Sequence, residues 1–473
     1  MTMSGYVLLS ILFILLVMLV IMTYYLRAVD KQQVLEEADD IPATIKVRNV
    51  VTAQTFVYTA IVLTSVCMLV SLYLIVKGTI WEGHLMEWMN IVIRLMHITF
   101  GIAWIGASFY FVFLENALNR TKDVREELAG NLWAVHGGGF YYLEKYKVAP
   151  KTIPKHLHWF KYEAYFTWLS GFCLLFVVYY FNAKALLIDK NVLDISPLAG
   201  ISIGVGSFVV AWILYDLICK TSFVRKGIWF ALTGFIICIG FAYFYCHVFS
   251  ARAAYMHFGA MLGSIMVANV FFVIIPAQKA MVKAATENQP LDPKLGKNAG
   301  LRSLHNNYFT LPVLFVMISN HFPSTFGFEY PWVVLAIISL GAAGVKHYLN
   351  LKEKGQLSVW VLPVSIIILL SAAYISAPQK PGECKSVVSF AEVNAIIQQR
   401  CISCHSASPT DDFYTAPPNG ITYDTPDNIV KLKDKIMQRV VLTKSMPQNN
   451  KTNMTEKERE LIRCWIDQGA SLK

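Results

Sequence analysis

The chain has 473 residues, of which 55% are hydrophobic and only 15% charged, and its mean hydropathy is +0.47. That is more apolar sequence than a water-soluble core can bury, so most of the chain belongs in lipid. The formal charge of +10 does not point to nucleic acid, because the Lys and Arg residues fall in loops between apolar runs, as membrane topology places them.

A helix needs about 20 apolar residues to cross a bilayer, and the sequence predicts ten spans: 6–26, 54–77, 91–114, 164–183, 197–219, 228–249, 254–275, 304–321, 330–350 and 357–376. The first follows "MTMSG", with no positive segment before it and no cleavage site after it, so it is not an ordinary cleavable signal. The eighth opens on polar residues and contains Pro312. Basic residues concentrate after spans 1, 3, 5, 7 and 9. They include Arg27 and Lys31, then Lys145 and Lys147, then Arg225 and Lys226, then Lys283, Lys297 and Arg302, and finally Lys352 and Lys354. The alternate loops are poorer in positive charge, with Lys77, Lys184, Lys190 and Arg252 as exceptions. Basic loops face the cytoplasm, so both termini are expected outside.

The Pro-rich break "APQKPGE" at 377–383 reads as a linker. Beyond it, Phe390, Val393, Ile396 and Ile397 form a helical stripe that ends at Cys401, Cys404 and His405. Cys-x-x-Cys-His is the spacing that attaches c-type haem: two thioethers from the thiols, with the histidine as proximal iron ligand. A zinc site or chance is the competing reading. The second axial ligand is expected at Met446 in "KSMPQ", with Met454 next; Met437 falls inside an amphipathic helix. Thr455 and Glu458 form a capping box for a last helix that buries Leu461, Ile462, Trp465 and Ile466 and ends at Gly469. Haem is attached covalently on the outer face of a bacterial membrane, the side where charge asymmetry places this tail. Cys384 and Cys464 are either a disulfide or two unrelated thiols. The expected fold is therefore all-α: a polytopic transmembrane helical bundle of about ten spans with a C-terminal, class I-like cytochrome c domain.

Histidines in membrane spans are functional candidates. His97, His247, His257 and His321 gather at the outer leaflet, while His305 and His347 lie at the inner one. His305 and His321 are about 24 Å apart along a regular helix and cannot share a centre. Arg94, His97, Gly101, Trp104 and Ser108 recur on one helix face, with room for a flat ring beside Gly101 and Arg94 placed to pair with a propionate. Two of the four outer histidines are expected to hold a haem b, with His97 and either His257 or His321 as the favoured pairs. Hydrogen-bonded interhelical histidines are the alternative. An electron released at the inner face must cross roughly 30 Å to the outside, which calls for an intermediate carrier. His84 reads as solvated in an outer loop, "HGGGF" at 136–140 as a turn, and Asp216 as a proton carrier or an interfacial charge.

The blocks "HITFGIAWIGASFYF" (97–111), "WAVHGGGFYYLEKY" (133–146) and "HLHWFKYEAYFTWLSG" (156–171) resemble the membrane-bound urate hydroxylase family of PuuD type. So do "HFGAMLGSIMVANVFFVIIPAQ" (257–278) and "RSLHNNYFTLPVLFVMISNHFP" (302–323). The resemblance implies an eight-helix membrane domain at 81–376 and a cytochrome c domain at 384–473, and the chain departs from the family by adding two spans within 1–80. It also implies oxidation of urate to 5-hydroxyisourate, with electrons leaving through the haem c to a terminal cytochrome oxidase or a soluble cytochrome c. The cytoplasmic end offers Trp133, His136, Tyr141, Tyr142, His156, His158, Trp159, Lys161, His305, Asn306, Asn307 and Tyr308. His136 or His305 is the candidate base, and Asn306 or Asn307 the reader of the purine edge. Two other functions remain open from the sequence: a quinol-oxidising haem b/c protein, and a non-enzymatic membrane-anchored cytochrome subunit.

Overall fold

The computed structural model describes residues 79–472 and a few positions before them, apart from short stretches at 151, 155–156, 291, 378–381, 385, 412–413 and 415. Span 6–26, most of 54–77, and His156 lie outside the described residues. The chain divides into two compact units, 1–89 and 90–473.

The membrane helices are α1 (Ile80–Ala117), α2 (Tyr162–Leu174, continued by a π-turn at Leu175–Tyr180), α3 (Pro197–Lys220), α4 (Ile228–Cys246), α5 (Ala251–Ala268), α6 (Ile275–Thr286), α7 (Pro293–Ser319), α8 (Pro331–Glu353) and α9 (Val361–Ile375). A π-turn at Asn269–Ile274 joins α5 to α6 as one rod. Each predicted span from 91 onward falls on this set. Among the described residues, six helical segments are long and apolar enough to cross a membrane: 81–117, 162–180, 197–220, 228–246, 251–286 and 331–353. The two others are α7, which carries the polar run Arg302–Tyr308, and α9, which has 15 residues. Outward faces bear Ile102, Leu217, Ile236, Phe272 and Ile367, all exposed, as lipid contact requires.

Two boundaries differ from expectation for local reasons. Helix α7 begins at Pro293 and not near 304, because the Asp292 side chain accepts a hydrogen bond from the Lys294 amide at 2.9 Å and Pro293 suits the first turn. Helix α1 begins at Ile80, so His84 sits on a helix between Trp81 and Trp88 and not in a loop.

The all-α expectation also needs correction. Leu128–His136 (β1) and Gly139–Tyr146 (β2) form an antiparallel hairpin with Trp133 opposite Tyr142 and Val135 opposite Phe140. Aromatic and β-branched residues alternate on both sides of Gly137 and Gly138, whose φ values of +57° and +79° suit a tight two-residue turn. The predicted turn is present, with strands on either side of it.

Helix α5 is the hub, packing against α2, α3, α4 and α7. Small residues on it and on α3 permit this close approach. A Cβ on Gly259 would lie 2.5 Å from Val316 Cγ1, and one on Gly204 would lie 2.8 Å from His257 Nε2. Tyr245, Phe249, Tyr255 and Phe258 fill the core around it.

In the tail, α10 (Phe390–Arg400) and α11 (Glu456–Asp467) pack through Val393, Ile397, Ile462 and Trp465. Both helices open on complete capping boxes, Ser389 with Glu392 and Thr455 with Glu458. Cys384 and Cys464 are joined as a disulfide with their Cα atoms 5.6 Å apart, tying the start of the tail to its last helix.

Candidate functional site

A polar network is buried between α3, α5 and α7 at the end of the bundle with the basic loops. At its centre is Arg302, 1% exposed. Its guanidinium donates to Asp216 Oδ1 at 2.6 Å and to Asn269 Oδ1 at 3.2 Å. Lys220 closes the other side of Asp216 at 2.7 Å. Asn269 donates to the Tyr215 hydroxyl at 3.1 Å and to Asn306 Oδ1 at 2.8 Å, and Asn306 donates to the Met266 carbonyl at 3.0 Å. The Tyr215 hydroxyl lies 2.8 Å from His305 Nδ1, and the His305 ring stacks on Phe230 with centroids 4.9 Å apart. The guanidinium carbon of Arg302 lies 5.0 Å from the Tyr215 ring centroid. Asn269 opens a π-turn, a local widening that frequently marks functional positions.

A second polar contact lies between α7 and α8. Asn350 donates to Asn307 Oδ1 at 2.9 Å, leaving Asn307 Nδ2 and Asn350 Oδ1 buried without partners. Lys346, one turn before Asn350, is 1% exposed and lies over the Phe109 ring at 3.7 Å.

The structure thus brings His305 and Asn306 into one network and places Asn307 on the adjoining helix contact. His136 is exposed at the end of the hairpin turn, with no hydrogen bond to these residues. The sequence reading missed Arg302, Tyr215, Asn269, Lys346 and Asn350. Asn269 and Lys346 were detectable as polar residues inside apolar runs, whereas Arg302 had been counted as a topology charge. Asp216 is an ion-pair partner.

The outer histidines are scattered. His97 Nδ1 lies 2.9 Å from the Thr167 carbonyl and 3.2 Å from Ser170 Oγ, with Gly171 packed against the ring. His257 is fully buried, with Nδ1 2.8 Å from the Ala253 carbonyl and Nε2 3.0 Å from the Tyr180 hydroxyl. His247 and His321 are exposed, and Arg94 bonds Asn90 at 3.0 Å. No hydrogen bond or ring contact joins any two of these four histidines.

In the tail, Cys401 ends α10, and Cys401 and Cys404 are both free thiols. Burial pushes Cys401 up to about 12 and raises Cys404 as well. Burial lowers His405, partly offset by the hydrogen bond of Nδ1 to the Ile421 carbonyl at 3.0 Å, so the imidazole is neutral and its tautomer fixed. Met446 packs against the tail core, and its backbone is pinned by Arg439 at 3.0 Å and Arg459 at 2.7 Å. Met454 is buried in the same cluster. This donor set, two unpaired thiols beside a neutral histidine with one nitrogen already held, fits a covalently attached haem.

Residues 83–377 match the profile of the family described as urate oxidase N-terminal. The chain belongs to the urate oxidase N-terminal family. The matched region contains the whole Arg302 network together with Lys346 and Asn350, and it stops before the tail. No curated protein and no solved structure matches the chain. Membership in the urate oxidase N-terminal family points to an oxidoreductase acting on urate, and the apolar helices point to a protein of the membrane.

Proposed function

We propose that this protein oxidises urate at the Arg302 network and delivers the electrons through a haem c in its tail to a terminal cytochrome oxidase or a soluble cytochrome c. The observation carrying this reading is the network itself. Arg, Asp, Asn, Tyr and His are costly inside apolar spans and mark functional sites there, and these lie within the segment that matches a urate oxidase family. The overall reaction balances as urate plus water giving 5-hydroxyisourate, two electrons and two protons.

Each residue has a chemical task. Arg302 supplies the positive potential that draws an anion to this end of the bundle, and Asp216 holds the guanidinium in place. Phe230 stacks on the His305 ring and Tyr215 meets it edge-on, an aromatic wall suited to a planar purine beside the base. His305, held at Nδ1 by Tyr215, presents Nε2 as the base that takes a proton from the attacking water. Asn306 is a positioning residue, because its amide already bridges Asn269 and the Met266 carbonyl. Asn307 has a buried donor without a partner, but it faces α8, on the other side of the helix from His305.

Cys401, Cys404, His405 and Met446 would hold the haem c, which supplies one-electron acceptance at a relatively high potential. A haem b would take His97, held at Nδ1 by the Thr167 carbonyl, and His257 could join it only by releasing Nε2 from the Tyr180 hydroxyl. His321 is the alternative second ligand. This arrangement suits a bacterial cytoplasmic membrane with the tail on the periplasmic side, where covalent haem attachment occurs.

The purified chain is expected to reduce two equivalents of ferricytochrome c for each urate consumed, and to form no hydrogen peroxide in air. Stoichiometric peroxide with ferricytochrome c left oxidised would show direct transfer to dioxygen and reject this reading.

A further inference from the structure

We propose that the Met446–Asn450 loop is the face through which electrons enter the tail, and that Gln448 and Asn449 clamp this face onto the helical bundle. The inference rests on the reading above that the tail carries a c-type haem.

The clamp is built from orphaned helix-end carbonyls. The segment leaving α2 finishes in a π-turn at Ala183–Leu187, and the last carbonyls of a helix have no partner within it. The tail supplies the missing donors. Asn449 Nδ2 donates to the Ala185 carbonyl at 2.9 Å and to the Ile188 carbonyl at 3.0 Å. Gln448 Nε2 also donates to the Ala185 carbonyl, at 2.9 Å. In return, Asn191 Nδ2 reaches the Asn449 carbonyl at 3.4 Å. Gln448 is oriented from behind, because the Tyr414 hydroxyl donates to its Oε1 at 2.5 Å. A second loop seals the same face: Gly327 sits so close to the Thr443 carbonyl that any Cβ there would collide with it.

The docked loop carries the Met446 ligand candidate, so the clamp presents that side of the tail's haem-binding cluster to the bundle. The two carbonyls between those it grips connect inward. Ser250 Oγ donates to the Leu186 carbonyl at 2.8 Å and the Ser250 amide to the Leu187 carbonyl at 2.9 Å. Ser250 caps α5, and its hydroxyl accepts from the Ala253 amide at 3.4 Å. The Ala253 carbonyl holds His257 Nδ1 at 2.8 Å. Alternating hydrogen bonds and short backbone steps thus link the Met446 loop to the fully buried His257. The two electrons from each substrate pass this way one at a time and leave the tail to a one-electron acceptor.

Asn449 has φ +50°, a left-handed conformation that Gly adopts without strain, so Asn449→Gly deletes the amide and keeps the backbone. The test compares the full haem-loaded chain with Asn449→Gly and with Asn449→Gly/Gln448→Leu. The expected result is unchanged c-haem content, spectrum and midpoint potential, faster hydrogen exchange across 185–191, and urate-driven haem reduction slowed about tenfold or more. Normal urate-driven reduction despite faster exchange would overturn the entry route, and unchanged exchange would overturn the clamp. A shifted potential or spectrum would also overturn the proposal, placing the effect on ligation and not on docking. If urate fails to reduce the haem in the unmodified chain, the functional reading fails and the route falls with it.

Discussion

Replacing His405 by Ala, or Cys401 and Cys404 together by Ser, is expected to lower urate-dependent reduction of ferricytochrome c by more than about 100-fold. Loss of an outer-shell partner of a metal ligand alone typically costs about 10- to 100-fold, and these changes remove the ligand or the covalent tether itself. The two changes act differently. The Cys pair variant abolishes covalent attachment, read as loss of haem staining on a denaturing gel. The His405→Ala variant retains a thioether-bound porphyrin with altered iron ligation, read as a shifted spectrum. Urate binding at the bundle is expected to survive both, because the Arg302 network lies on α3, α5 and α7 and shares no residue with the tail. Full electron delivery by either variant would remove the tail from the exit route.

Arg302→Leu is expected to destabilise the bundle and abolish turnover. It strips the guanidinium from Asp216 and leaves Asn269 Oδ1 without its donor. Removing one partner of a buried ion pair costs about 3–5 kcal/mol. The loss here belongs at the lower end, because Lys220 still reaches Asp216 at 2.7 Å from a largely exposed position. The double variant Asp216→Leu/Arg302→Leu is expected to regain most of the melting temperature, since apolar replacement of a buried pair is often neutral or stabilising. It is not expected to regain turnover, because the guanidinium that holds Asn269 in the network is gone. Lysine at 302 should not substitute, as it lacks the planar fork that reaches Asp216 and Asn269 together. Turnover restored in the double variant would show that Arg302 serves only stability.

The parts of this molecule legible in its sequence are those governed by one-dimensional rules. Apolar runs mark the helices from 91 onward because lipid leaves the backbone few other ways to satisfy its hydrogen bonds. The capping box at Thr455 and Glu458 is local, so it was readable, and the structure shows both of its bonds. Once Cys401 and Cys404 are assigned, Cys384 and Cys464 remain either a pair or two unrelated thiols in the sequence, and the structure joins them. The hairpin at 128–146 is legible only as the turn at 136–140, because its strands lie between two spans, where apolar alternation does not stand out from the neighbouring apolar runs. The polar network depended on long-range contacts. Arg302 and Asp216 are separated by 86 positions, and only the packing of α3 against the α5–α7 pair shows that they form an ion pair. A basic residue next to a membrane helix looks the same in sequence whether it anchors the span or lines a site. The Asn449 clamp was equally hidden, because its partners are backbone carbonyls and leave no trace in side-chain type.

The most direct measurement is anaerobic mixing of the purified, oxidised protein with urate while the visible spectrum is recorded. The expected result is the sharp ferrous band of a c-type haem, reaching full reduction at one urate for every two tail haems, with 5-hydroxyisourate formed in step. A haem that stays oxidised under urate yet is reduced at once by dithionite would contradict the claim that this bundle and its tail form one electron path.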